Sequence, residues 1–77
     1  LSPETKAVER LIFGLRMTEG VDLREIAGEG GEERQHRWRE VLERLAREGL
    51  TEGGPDKWRL TRRGLDFADA VAVELLP

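Results

Sequence analysis

A mainly α, winged-helix-like fold is what this sequence predicts, with a three-helix core, a small β-hairpin wing and a C-terminal helix. Three observations carry that expectation. First, the stretch Glu33–Thr51 places Trp38, Val41, Leu42 and Leu45 at i, i+3, i+4 and i+7. Those positions share one face of an α-helix, and the other faces are polar. Second, Gly49-Leu50 closes that helix and two short alternating runs follow it. Third, Leu60-Thr61-Arg62-Arg63-Gly64 opens a further helix.

The first helix starts at Ser2-Pro3-Glu4-Thr5. Ser2 suits the N-cap, Pro3 suits the first helical position, and Glu4 lies at the positive end of the dipole. Val8, Leu11, Ile12 and Leu15 make its apolar stripe, with Phe13 and Met17 beside it. Gly14 inside that helix costs about 1 kcal/mol relative to Ala, and a close helix–helix approach is one physical reason for it. Gly20 is the expected end.

Asp22-Leu23-Arg24-Glu25 reads as a capping box with Asp in the capping position. Leu23, Ile26 and Ala27 give the short helix one apolar edge, and Gly28-Glu29-Gly30-Gly31 breaks it. After the long helix, Gly49 can take positive φ and Leu50 can fold back in a Schellman contact. Thr51-Glu52 and Lys57–Leu60 read as strands, joined by a turn at Gly53-Gly54-Pro55-Asp56. Trp58 and Leu60 alternate with Lys57 and Arg59, so one hairpin face is apolar and pins the wing to the core. Thr61 is the N-cap of the last helix. Its main stripe is Leu65, Ala68, Ala72 and Leu75, with Phe67 and Val71 alongside. The expected core is Leu11, Ile12, Leu15, Ile26, Trp38, Leu42, Leu45, Leu60, Leu65 and Ala68.

Seventy-seven residues make one domain, spanning residues 1–77. The first residue is Leu1 rather than Met, and the expectation is a piece cut from a longer protein. The absence of cysteine removes disulfides, thiolate zinc sites and cysteine-held iron–sulfur clusters from this piece. No apolar run approaches the roughly 20 residues of a membrane span, and no secretory leader is visible. A cytoplasmic location is the expectation. The formal charge is −3, with both signs interspersed, whereas a nucleic-acid domain is more often net basic.

Few side chains suggest chemistry. His36 is the sole histidine and lies among Gln35, Arg37 and Arg39, with no second ligand in reach; a solvated surface histidine is the expectation. Glu32 and Glu33 sit where a helix start favours negative charge. The glycines of 28–31 lack the Lys-Ser/Thr of a phosphate loop. No catalytic, cofactor-binding or metal-binding residue is therefore expected here. Lys57, Arg59, Arg62 and Arg63 form a basic run on the wing, suited to phosphates or to carboxylates. Arg16 lies within an apolar segment, with its stem able to pack along the core edge. It can also pair with Glu9 or with a group on another domain.

Val8–Leu23 resembles the opening of the C-terminal domain of the oxygen-independent coproporphyrinogen III oxidase family, including its heme-chaperone relatives. The residues that carry the likeness are Glu9, Gly14-Leu15-Arg16, Gly20-Val21 and Asp22-Leu23. Gly49-Leu50 and Leu60-Thr61-Arg62-Arg63-Gly64 extend it over nearly the whole chain, although many winged helices share that second set. The resemblance implies a parent radical S-adenosylmethionine protein of porphyrin and heme biosynthesis. An upstream barrel of the same chain would hold a [4Fe–4S] cluster and S-adenosylmethionine, and neither would bind in this fragment. The domain would pack beside the barrel opening and help shape or close the substrate site. A tetrapyrrole with ionised propionates would favour Arg16, Arg59, Arg62 and Arg63 as interdomain or substrate-side contacts. His36 lies outside the family's upstream His-Asn motif and inherits no role from it. Two alternatives stand beside this reading. One is a DNA-binding winged helix of a transcriptional regulator, acting through Lys57, Arg59, Arg62 and Arg63. The other is a protein–protein module with a patch around Trp58 or Phe13.

Overall fold

The computed structural model describes residues 2–28 and 31–76. The chain runs α1 (Pro3–Leu15), β1 (Val21–Asp22), α2 (Leu23–Ala27), α3 (Glu32–Arg47), β2 (Thr51–Gly53), β3 (Lys57–Leu60), α4 (Arg62–Asp66) and α5 (Ala68–Leu75). The mainly α fold with a small wing is present. Its sheet has three antiparallel strands in the order β1-β3-β2.

Local chemistry starts the helices as expected. Ser2 Oγ accepts from the Thr5 N–H at 3.1 Å, and Pro3 takes the first turn. Asp22 Oδ1 accepts from the Arg24 N–H at 2.9 Å, so Asp22 does cap α2, while Glu25 stays exposed. At the end of α3 the Gly49 N–H donates to the Ala46 carbonyl and the Leu50 N–H to the Leu45 carbonyl, each at 3.0 Å. With Gly49 at φ 80°, this is the expected Schellman closure. Glu29, Gly30, Leu1 and Pro77 lie outside the described residues.

The core forms where α1, α3, α5 and the inner face of β3 meet. Leu11, Leu23, Trp38 and Leu42 are fully buried, and Val8, Leu15, Leu45, Val71 and Leu75 nearly so. Trp58 and Leu60 are both buried, which fastens the wing to the helices. Ile12, Ile26 and Ala68 pack against this core while remaining partly accessible.

Four expectations need correction. Val21-Asp22 is a strand, paired Val21 to Trp58 and Asp22 to Lys57. Two residues are too short to show an alternation, so only the pairing reveals it. Next, α1 stops at Leu15 instead of reaching Gly20, because residues 16–20 must turn to bring β1 alongside β3. Gly14 then meets that strand ahead of any helix: a Cβ there would lie 2.9 Å from Val21 Cβ, with Ile26 of α2 at 3.9 Å. Finally, Phe67 adopts φ −117° and ψ 27°, which divides the last helix into α4 and α5. The break resets the helical phase. Val71 and Leu75 turn inward, while Leu65 is 46% exposed and leaves the core.

Candidate functional site

Two polar arrangements hold the wing. The first joins the motifs at the ends of α3 and β3. Thr61 Oγ1 accepts from the Gly64 N–H at 2.9 Å, which caps α4. The same hydroxyl donates to the Gly49 carbonyl at 2.6 Å, and the Thr61 N–H donates to the Leu50 carbonyl at 3.0 Å. A Cβ on Gly64 would collide with that Leu50 carbonyl, its carbon only 2.9 Å away. Gly-Leu and Leu-Thr-x-x-Gly are thus two halves of one joint. Nearby, Thr51 Oγ1 donates to the Leu42 carbonyl at 2.7 Å within the core.

The second arrangement ties the wing's turn to α2 and α3. Asp56 accepts from Arg39 Nη2 and, at 3.2 Å, from Gln35 Nε2; Arg24 Nε stands 3.8 Å away. Asp22 takes Arg24 through both carboxylate oxygens, at 2.9 and 3.2 Å. The Arg39 hydrogen bond foremost holds the Asp56 carboxyl below the usual carboxylate range, and the Arg24 hydrogen bond does the same for Asp22. Residues this far apart in sequence gave no signal of the cluster; Asp56 reads there only as a turn residue. The geometry suits a structural clip, since the carboxylates are already bonded by the domain's own guanidinium groups.

The four candidate arginines do not converge on one pocket. Arg16 caps the C-terminus of α1 and is exposed. Among the described residues it makes no ion pair, so the alternative of a link to Glu9 is not formed. It borders a cleft of about 30 Å3 between α1 and α5, with Ile12, Leu15, Ala68, Asp69 and Ala72. It also borders a second depression, with Leu65, Phe67 and Ala70. Arg59 lies on the outer face of β3, where Nη1 donates to the Thr18 carbonyl at 3.1 Å and Nη2 stands 3.5 Å from Glu52. Arg62 and Arg63 are exposed in the first turn of α4. Lys57 shares the exposed face of β3.

The remaining candidates stay ordinary. His36 is exposed and pairs with Glu40 one turn on. Glu32 and Glu33 occupy the first turn of α3. Among the described residues no three His, Cys, Asp or Glu side chains gather as a metal site, and no helix is long and apolar enough to cross a membrane. Several arginines of α3 are occupied within the domain, Arg37 by Glu4, Arg39 by Asp56 and Arg44 by Glu74. Both tryptophans are buried, so an exposed patch around Trp58 does not exist, whereas Phe13 is 64% exposed.

A sequence model of the family described as the HemN C-terminal domain matches residues 1–67. The chain belongs to that family. The HemN C-terminal domain assignment spans α1 through α4 and includes both the Gly-Leu-Arg segment and the Thr61–Gly49 joint. It also places the chain in a porphyrin-related context, among coproporphyrinogen oxidase-like proteins. No curated protein and no solved structure matches this HemN C-terminal domain. Having no cysteine, these 77 residues offer no thiolate to an iron–sulfur cluster.

Proposed function

We propose that the chain is a non-catalytic accessory domain of an oxygen-independent coproporphyrinogen III oxidase-like radical S-adenosylmethionine protein of heme biosynthesis, working in the cytoplasm. The single observation that carries this reading is the family match over residues 1–67. The paired polar clips, in which the domain's own side chains hold Asp22, Asp56 and the Gly49 carbonyl, support a scaffold role. In this reading the larger protein supplies the [4Fe–4S] cluster and S-adenosylmethionine from its upstream barrel. The domain packs on that barrel and helps shape or close the space for a tetrapyrrole. Arg16, Arg62 and Arg63 are its interdomain or substrate-side cations, since guanidinium groups bind carboxylates in a two-point fork. Arg59 is the weaker candidate, because Thr18 and Glu52 already hold its head.

The test compares the intact larger protein with a version lacking this domain. Coproporphyrinogen decarboxylation and heme binding are both assayed, alongside the absorbance of the cluster. The expected result is loss of whichever activity the intact protein has, with the cluster absorbance retained. Full activity without the domain overturns the proposal.

A further inference from the structure

Lys6 and Arg10 lie one turn apart on α1, so their side chains stand on the same side of that helix. Arg34, near the start of α3, lines the same depression of about 280 Å3. Pro3 and Ala7 of α1, with Ile26 and Ala27 of α2, make its apolar part, and no carboxylate lines it. Elsewhere on the described surface, cations share their depressions with acids. Lys57 and Arg59 lie with Glu19 and Glu52, Arg44 and Arg47 with Glu40 and Glu43, and Arg16 with Asp66 and Asp69.

In a chain of formal charge −3, an all-cationic depression is a local reversal of sign, and it draws anions. Arg24, Arg37, Arg39, Arg44 and Arg59 all have carboxylate partners, whereas Lys6, Arg10 and Arg34 have none among the described residues. Arg34 is also half-buried, so part of its side chain is already held and less freedom is lost on binding.

Charge and size narrow the ligand. A phosphoryl group carries about −1.5 to −2 at neutral pH and three acceptor oxygens, one for each cation. A carboxylate brings less charge and only two oxygens. Pockets for whole drug-sized ligands run roughly 300–1,000 Å3, so this one takes a single group and the carbon next to it. Glu32 and Glu33, exposed in the first turn of α3, and Glu9 on α1 oppose a long polyanion such as a nucleic-acid strand.

We propose that Lys6, Arg10 and Arg34 form a binding site for a small organic phosphate ester, with the phosphoryl oxygens on the three cations and the ester's carbon against the apolar part. The site is separate from Arg16, Arg62 and Arg63, and it goes beyond the accessory-domain reading without depending on it.

Methyl NMR of the full-length protein with isotope-labelled alanine tests it, using phenyl phosphate as the probe. The Ala7 and Ala27 methyl signals are expected to move at millimolar probe, while Ala68, in the α1–α5 cleft, stays in place. Inorganic phosphate is expected to bind severalfold more weakly, having no carbon to bury. Benzoate, with the same ring and less charge, is expected to bind about tenfold more weakly. Arg10→Gln, at an exposed position, should weaken phenyl phosphate about tenfold, and Arg47→Gln should leave it unchanged. No movement at Ala7 and Ala27 overturns the site. Equal affinity for inorganic phosphate overturns the ester and assigns the site to the free anion. Equal affinity for benzoate overturns the phosphoryl group, and unchanged affinity in Arg10→Gln overturns the role of the cations.

Discussion

Thr61 and Gly49, twelve positions apart, meet through a hydrogen bond of 2.6 Å from the threonine hydroxyl to the glycine carbonyl. The same oxygen caps α4 by accepting from Gly64. One side chain therefore fastens the start of α4 to the end of α3, across the base of the wing.

Replacing Thr61 by Val keeps the shape and removes both bonds. The expected loss is about 0.5–2 kcal/mol, chiefly from the missing cap, since the exposed Gly49 carbonyl can turn to water. In a domain of this size that lowers the melting temperature by roughly 4–8 °C per kcal/mol. Thr61→Ser retains the hydroxyl and should fall within about 1 kcal/mol of the parent chain. Equal melting temperatures for the two variants would show that the hydroxyl contributes nothing.

Gly49 and Gly64 should respond differently to alanine. A Cβ at Gly49 meets nothing within 4 Å, so only its positive φ is penalised, by about 1 kcal/mol. A Cβ at Gly64 runs into the Leu50 carbonyl, which is backbone and cannot swing aside. Gly64→Ala is expected to cost more, about 1–3 kcal/mol or beyond, through overpacking. Urea unfolding of the two variants gives the order directly.

Gly14 and Val21 should be coupled. Gly14→Ala gains about 1 kcal/mol in helix propensity but forces contact with Val21, a larger penalty of about 1–3 kcal/mol. Val21→Gly makes room by removing both Val21 Cβ and Cγ2, 2.9 and 3.0 Å from the added carbon. The double variant should be more stable than the sum of the singles, by roughly 0.5–3 kcal/mol. Strict additivity in a double-mutant cycle would remove the strand contact as the reason for that glycine.

Leu42 and Leu65 separate the real core from the apparent one. Leu42 is fully buried and Leu65 is 46% exposed. Leu42→Ala is expected to cost about 2–5 kcal/mol, and Leu65→Ala to stay within about 0.5 kcal/mol in the 77-residue chain. A large loss at Leu65 in thermal unfolding would return it to the core.

Acid should loosen the wing. Asp22 and Asp56 have folded-state pKa values held down by Arg24 and Arg39 respectively. A depressed carboxylate contributes stability above its unfolded value, near pH 4, and loses it as the pH falls through the lower folded value. Stability should therefore decline below about pH 4. Asp56→Asn should flatten part of that acid limb and also weaken the hold on Arg39. Denaturant midpoints across the acid range decide it: identical limbs with and without Asp56 would exclude the clip.

Much of the molecule follows from local rules. Ser2, Asp22 and Thr61 cap helices because a side-chain oxygen and a free backbone N–H lie within a few residues of each other. The Schellman closure at Gly49 and the buried face of α3 follow from spacing along one helix. Both motif clusters of the family were legible for the same reason. The sites were less so. Arg16, Arg59, Arg62 and Arg63 are visible as cations in the chain, but only distance distinguishes Arg59, already bonded to Thr18 and Glu52, from the others.

Sequence alone determined the capped starts of α1, α2 and α4, the stop of α3, the helical period, the wing's two apolar anchors and the family. Tertiary structure decided β1, the break at Phe67, the Asp56 clip and the exposure of Leu65. The physical reason is range. Caps and periodicity act over a few residues, whereas a two-residue strand exists only because its partner across the sheet supplies the hydrogen bonds. The burial of a leucine likewise depends on which way a neighbouring helix has been turned.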